Sequence, residues 1–252
     1  MKLNIKKLEA REKEHFNEAA LAYDTNYGYE GDFTKYKIDK KVLEFVSSIR
    51  RSLGNKPISI LEIGCGTGEY TKRICNYFPK SKIIAIDISE KILQVAKKKC
   101  AGVKNVRFLA RSAYSSGFKS DFFDVVFGFY VLHHLDIPRF KNELLRVLKK
   151  RGLAFFYEPN ILNPVVYIIK SNRKLKSLVG DSKDEWAVNP LGLNSVFKDF
   201  KVINISMSEF IYPARFIPLS ILKIVDKIFD NLKFIPLVKY LGGSVQIFLR
   251  KK

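Results

Sequence analysis

A glycine-rich turn is the densest chemical signal in this 252-residue chain. It reads Leu61-Glu62-Ile63-Gly64-Cys65-Gly66-Thr67-Gly68, an apolar run passing directly into three alternate glycines. Glycine lets a backbone approach a ligand closely and adopt φ values closed to other residues. A helix opening behind such a turn presents unpaired N–H groups to a polar ligand. Asp87 closes the next apolar run, Lys82-Ile83-Ile84-Ala85-Ile86-Asp87, 19 residues after Gly68. A carboxylate at that place accepts hydrogen bonds from both hydroxyls of a ribose. The nicotinamide-dinucleotide fingerprint is G-x-G-x-x-G. Here Glu69 stands where its third glycine would fall, and Glu62 precedes the first glycine by two.

Three further side chains have acid–base chemistry. His133 and His134 follow the apolar run Asp124 to Phe129. A neutral imidazole takes a proton near pH 7, so His133 is a candidate base, the alternative being that the pair caps the next turn. Glu158 ends another apolar run, where it either orients substrate and removes a proton or bonds backbone N–H groups of a loop. No metal is expected. Adjacent histidines such as these, taken with Asp136, point in different directions, and Cys65, Cys75 and Cys100 lack zinc spacing. Cys65 reads as a small packed residue of the turn.

The elements that position these residues follow from periodicity. Residues 3–23 have a helical pattern, residues 24–32 are turn-rich, and a second helix runs from Thr34 to Ile49. Short apolar strands then alternate with helices: Ile58–Ile63, Lys82–Ile86, Val106–Leu109, Asp124–Phe129 and Gly152–Tyr157 are strands. Glu69–Phe78, Ser89–Lys99 and Pro138–Leu148 are helices. That alternation implies βαβ units and a parallel sheet covered on both faces. Lys201–Ser206 and Val245–Leu249 are later strands.

Glu62-x-Gly64-x-Gly66-x-Gly68 followed by Asp87 resembles the signature of class I S-adenosylmethionine-dependent methyltransferases, in their small-molecule and lipid-type branch. The resemblance extends through Phe123-Asp124-Val125-Val126, Val131-Leu132-His133-His134-Leu135, Glu143-x-x-Arg146-Val147-Leu148-Lys149 and Glu158-Pro159-Asn160. It implies an α/β, Rossmann-like, doubly wound sheet of seven strands, mostly parallel with an antiparallel last strand, under an N-terminal helical cap. It also implies S-adenosylmethionine as cofactor. Gly64, Cys65, Gly66 and Gly68 would pass beside its methionine part, and Glu62 would steady that loop or reach the cofactor amine. Asp87 would hold the ribose, Ile88 would pack on the adenine, and Phe129 would line the methyl-donor site. Phe16-x-x-x-Ala20-x-x-Tyr23-Asp24 resembles a helix that closes over the cofactor, with Tyr23 facing it. The family often carries an acid after strand three that accepts from the adenine amino group. Here Ser112, beside Ala113, takes that place, a departure that implies a weaker acceptor.

Length and composition allow one domain, divided into a helical cap over 1–50, a cofactor-binding core over 57–158, and insertions over 160–189 and 207–243. Both insertions leave carboxyl ends of strands, so both should cover the acceptor site. Apolar residues are 47% and aromatic ones 13%, which excludes a disordered chain. Three Cys exclude a disulfide scaffold and fit reduced thiols of a cytosolic protein. No transmembrane span and no secretory signal are read. Lys and Arg total 45 against 25 acids, a formal charge of +20. The excess is uneven: Gln94 to Ser120 holds seven cations and no acid, whereas residues 1–60 hold 12 cations and nine acids. Both insertions set apolar stripes beside Lys and Arg, as interfacial membrane segments do. The leading expectation is methyl transfer to an oxygen or carbon of a small apolar or lipid-like acceptor, in a cytoplasmic protein with peripheral membrane contact. Two alternatives stay open, an RNA methyltransferase using the basic surface and a non-catalytic cofactor-binding adaptor.

Overall fold

The apolar runs pair side by side into a seven-stranded sheet of order β3-β2-β1-β4-β5-β7-β6. The computed structural model describes residues 5–182, 185–212 and 217–252. Strands β1 (Ser59–Ile63), β2 (Lys82–Asp87), β3 (Val106–Ala110), β4 (Phe123–Phe129) and β5 (Leu148–Pro159) are parallel to one another. β6 (Phe200–Ser208) and β7 (Ser244–Lys251) complete it, and β7 runs antiparallel to both β5 and β6. The central strands are apolar on both faces because both are covered: Ile60, Leu61, Val125, Val126, Phe155 and Phe156 are wholly buried. β1 lies between β2 and β4, so successive connections leave it in opposite directions and open a crevice at the carboxyl ends.

α1 (Ile5–Ala19) lies over that end of the sheet. α2 (Asp32–Leu53) and α3 (Glu69–Tyr77) cover one face, where Phe45 of α2 packs 4.7 Å from Phe127 and 5.2 Å from Phe155. Truncating such a buried ring costs about 3–5 kcal/mol. α5 (Ile137–Val147) covers the other face through Phe140, Leu144 and Val147. α4 (Glu90–Lys99) follows β2 and begins at Ser89, whose hydroxyl accepts from Ile92 N at 3.1 Å. β5 starts four residues before the expected Gly152, because the chain enters the sheet directly at the end of α5. The turn-rich stretch after α1 opens with one helical turn, Tyr23–Asn26. Residues 3–4 of the expected first helix, and 183–184 and 213–216 of the insertions, lie outside the described residues.

The first insertion forms α6 (Pro164–Ser171) and α7 (Arg173–Val179) and turns back onto α1. Gly180 O receives the Tyr27 hydroxyl at 3.1 Å and lies 3.1 Å from His15 Nε2, and the Ser182 hydroxyl donates to Glu12 at 2.8 Å. In the second insertion, α8 (Leu219–Phe229) docks on α2 through charge. Its buried Asp226 receives Lys37 at 2.5 Å, Lys40 at 2.7 Å and the Tyr36 hydroxyl at 3.1 Å. Among the described residues, no helix is long and apolar enough to cross a membrane.

Candidate active site

The glycine turn leaves β1 and enters α3 with Gly64, Gly66 and Gly68 at φ of +64°, +52° and +78°. A side chain at Gly64 would be strained by that φ, and its Cβ would fall 2.4 Å from Val131. The turn is pinned from below. Cys65 N donates to Ile86 O at 3.0 Å, and Gly66 N donates to the Asp87 carboxylate at 3.0 Å. Cys65 packs with Ala85 and Leu93 beneath the turn.

Above the turn lies an open-mouthed cavity, about 720 Å³ of empty space when the solvent at its mouth is counted. Gly64, Gly66, Asp87, Ile88, Ala113 and Tyr23 line it from the core, and Leu8, Glu9, Glu12 and Phe16 of α1 close it from above. Asp87 spends one oxygen on Gly66 N and the other on Ser89 N, at 3.0 Å each. Burial raises its carboxyl above the ordinary range, and those backbone donors offset part of the rise. The cavity suits an adenosyl group: apolar walls at Ile63, Ile86, Ile92 and Leu135, with the Asp87 carboxylate at its floor and Glu9 and Glu12 on the covering side.

Ser112, expected as an acceptor for an adenine amino group, is turned the other way. Its hydroxyl donates to Glu9 of α1 and its oxygen accepts from Tyr114 N at 3.0 Å. Ser112 is absent from the cavity wall and Glu9 is on it. A carboxylate of the covering helix, 103 residues away in sequence, thus stands at the wall beside Ser112. Helical periodicity gave Glu9 no signal of its own, because it lies among several charges.

The far side of the turn holds the remaining expected residues. Glu62 is buried and receives the Thr71 hydroxyl at 2.6 Å. Burial pushes its carboxyl up to about 8, the Thr71 bond opposes this, and Asp87 adds to the rise. Phe129 stacks on Tyr70 with ring centroids 4.1 Å apart. A narrow cleft joins Glu62, Thr67, Tyr70 and Phe129 to Tyr23 and Tyr29. Tyr130, not singled out from the sequence, holds φ +57° at the end of β4. A non-glycine residue there is strained, and such strain concentrates at functional sites. Its hydroxyl donates to Glu209 at 2.7 Å, and Glu209 pairs with Lys41 at 2.6 Å. Tyr23, Tyr130 and His134 border both the first cavity and a second one walled by Tyr27, Tyr29, Lys170 and Glu185.

Of the alternatives open for His133 and Glu158, their surroundings favour the structural ones. His133 Nδ1 lies 2.6 Å from Glu158 and Nε2 lies 3.1 Å from Glu185. Burial alone would lower its pKa, but Glu185 and Glu158 overcome that and raise it to about 9. Glu158 is wholly buried and accepts from Val131 N at 3.0 Å and Leu132 N at 2.8 Å, besides His133. It is a carboxylate that fastens a loop. The two histidines also do not diverge. Their short 3₁₀ turn sets the rings 4.1 Å apart and tilted by 40°, both facing Glu185.

This arrangement is a strand, a glycine turn, a carboxylate at the end of the next strand and a cavity covered by α1 at the switch point of a seven-stranded sheet. Residues 61–156 match the family described as a methyltransferase domain. Over those residues the chain resembles methyltransferase domains of the class I type, the type that uses S-adenosylmethionine. It is 31% identical over 147 residues to a malonyl-[acyl-carrier protein] O-methyltransferase of Halalkalibacterium halodurans, covering 56% of this chain and 52% of that one. It is 36% identical over 117 residues to a demethylmenaquinone methyltransferase of Lactococcus lactis, covering 45% and 46%. The chain thus spans about half the length of these relatives. Among solved structures, magnesium protoporphyrin IX methyltransferase of Synechocystis, crystallised with S-adenosylhomocysteine, superposes with a TM-score of 0.66. The match covers 97% of this chain and 100% of that one at 14% identity, a likeness of fold.

Proposed function

We propose that the protein transfers the methyl group of S-adenosylmethionine to an oxygen or carbon of a small apolar or lipid-like acceptor, working against an anionic membrane surface. The observation that carries the reading is the continuity of the two cavities through Tyr23, Tyr130 and His134. One cavity fits the adenosyl group, and the other, walled by Lys170, Asp181 and Glu185 of the first insertion and by the tyrosines, takes the acceptor. When bound, the cofactor supplies an electrophilic methyl. Asp87 holds its ribose, and Ile88 and Ala113 flank its adenine. The turn at Gly64–Gly68 and the carboxyl of Glu62 hold its methionine end, and Phe129 backs the methyl-donor site. α1 closes the cavity and excludes water, and such positioning is the main contribution a protein makes to in-line transfer. His133 and Glu158 have their polar atoms committed to other protein groups. The acceptor is therefore one that ionises readily by itself, such as a carboxylate, enol or phenol. The names of the two relatives agree with acceptors of that kind.

The membrane part rests on α8. It buries Leu222 and Asp226 and turns Ile221, Ile224 and Ile228 outward, the last two 61% and 60% exposed. Phe234 and Leu237, 74% and 81% exposed, extend the apolar surface, and Lys223 and Lys227 lie beside it. Exposed apolar residues flanked by cations match an interfacial segment. The whole chain forms one catalytic domain, with residues 1–50 as cap and the insertions 160–189 and 207–243 as acceptor cover. Methyl transfer from labelled S-adenosylmethionine into a lipid extract tests the reaction. Asp87→Ala should abolish cofactor binding in calorimetry, and unchanged affinity would sink the assignment. Flotation with anionic but not neutral vesicles tests the membrane part, and steep salt-dependent binding of RNA in its place would favour the nucleic-acid alternative.

A further inference from the structure

We propose that His133, His134, Glu12 and Glu185 form a binding site for one divalent transition-metal ion between the first and second cavities. The donor atoms of His133, His134 and Glu185 all lie within 4.8 Å of one another. Glu12 of α1 adds a fourth, its Oε2 3.0 Å from His134 Nδ1. Those two atoms are buried and close, yet they are not aligned as a hydrogen bond, and neither has another hydrogen-bond partner. Glu12 is only 6% exposed. Their only contact is this poorly aligned one with each other, and a shared cation would satisfy both atoms at once.

The surroundings of His133 fit the same reading. Its Nδ1 is held by Glu158 at 2.6 Å, which aims Nε2 at Glu185. Carboxylates orient metal-bound histidines in this way. Two imidazole nitrogens with two carboxylates suit Zn²⁺, Co²⁺, Fe²⁺ or Mn²⁺ better than Mg²⁺ or Ca²⁺, which prefer all-oxygen sets. Lys170 opposes the ion. Its ammonium contacts Glu185 and pairs with Asp181 at 2.7 Å, so it draws off part of the negative charge. The donors come from α1, the turn after β4 and the first insertion, so an ion there would tie the covering helix to the acceptor side.

The inference does not depend on the methyl-transfer reading, because the ion itself is the readout. Chelator-treated full-length protein is titrated with zinc alone by calorimetry, then with cobalt followed by visible absorption. One zinc ion should bind per chain with a Kd of about 1 μM or tighter. Cobalt should give the absorption of a nitrogen–oxygen site. His134→Ala and Glu185→Gln should each weaken zinc at least about tenfold. Lys170→Met should tighten it, which a purely structural polar network would not show, and this variant serves if the others fail to fold. No saturable zinc binding below about 100 μM, or binding unchanged in all three variants, overturns the proposal.

Discussion

Glu9 provides a direct test of how the cofactor is held. It lies on the cavity wall next to the position where an adenine amino group is expected, while Ser112 spends its hydroxyl on Glu9 and accepts from Tyr114 N. Glu9→Ala removes one charged acceptor and leaves the Ser112 hydroxyl without its partner. A hydrogen bond to a charged group is worth about 1.5–3 kcal/mol, or roughly 10- to 150-fold in Kd. The carboxylate sits on a covering helix that must also order, so the lower half of that range, about 10- to 30-fold, is the expected loss. Ser112→Ala, which leaves the carboxylate in place, should cost less than about fivefold. Glu9→Gln retains an acceptor oxygen and should fall between the two. Calorimetry with S-adenosylhomocysteine measures all three, and an analogue lacking the adenine amino group is the control. That analogue should bind wild type and Glu9→Ala alike. If Glu9→Ala binds S-adenosylhomocysteine within about threefold of wild type, or if Ser112→Ala is the more damaging change, the carboxylate is not the adenine acceptor.

Other outcomes follow from the same geometry. Gly64→Ala combines a left-handed φ of +64° with a Cβ 2.4 Å from Val131, and should abolish cofactor binding while leaving a folded protein by circular dichroism. Asp226→Ala leaves the buried Lys37 ammonium without its carboxylate and should lower stability by about 3–5 kcal/mol in urea titration. The same change should weaken vesicle flotation, since α8 loses the anchor that keeps its apolar side outward. Burial alone would raise the Glu209 carboxyl, but Lys41, with Lys37 and the Ser244 hydroxyl, pulls it down to about 2. A carboxylate depressed in the folded state stabilises the fold above its unfolded pKa of 4.5, and that contribution fades as pH falls from about 4.5 to 2. Glu209→Gln should therefore flatten the acid limb of a plot of melting temperature against pH, and an unchanged limb would remove this pair from the account.

Local chemistry in the sequence determined much of this protein. The alternation of short apolar runs with helices fixes a covered parallel sheet, because strands buried on both faces must be apolar throughout. Gly64, Gly66, Gly68 and Asp87 are legible for a similar reason: strand, turn and helix N-terminus are contiguous in the chain, so spacing alone brings them to one place. The first insertion's place beside the second cavity follows from its departure at the carboxyl end of β5. Only the tertiary structure decided what depends on distant segments meeting. Glu9 meets Ser112 across 103 residues and brings a carboxylate to the cavity wall there. Glu185, some 50 residues beyond His133, commits the imidazole nitrogen that the sequence left open as a base. The apolar stripe of α8 was visible from spacing, but which side faces outward was set by Lys37 and Lys40 drawing Asp226 inward. Periodicity records how a residue recurs along its own element. It carries no record of which charge on another element waits for it, and here those long-range charge pairs assign the roles.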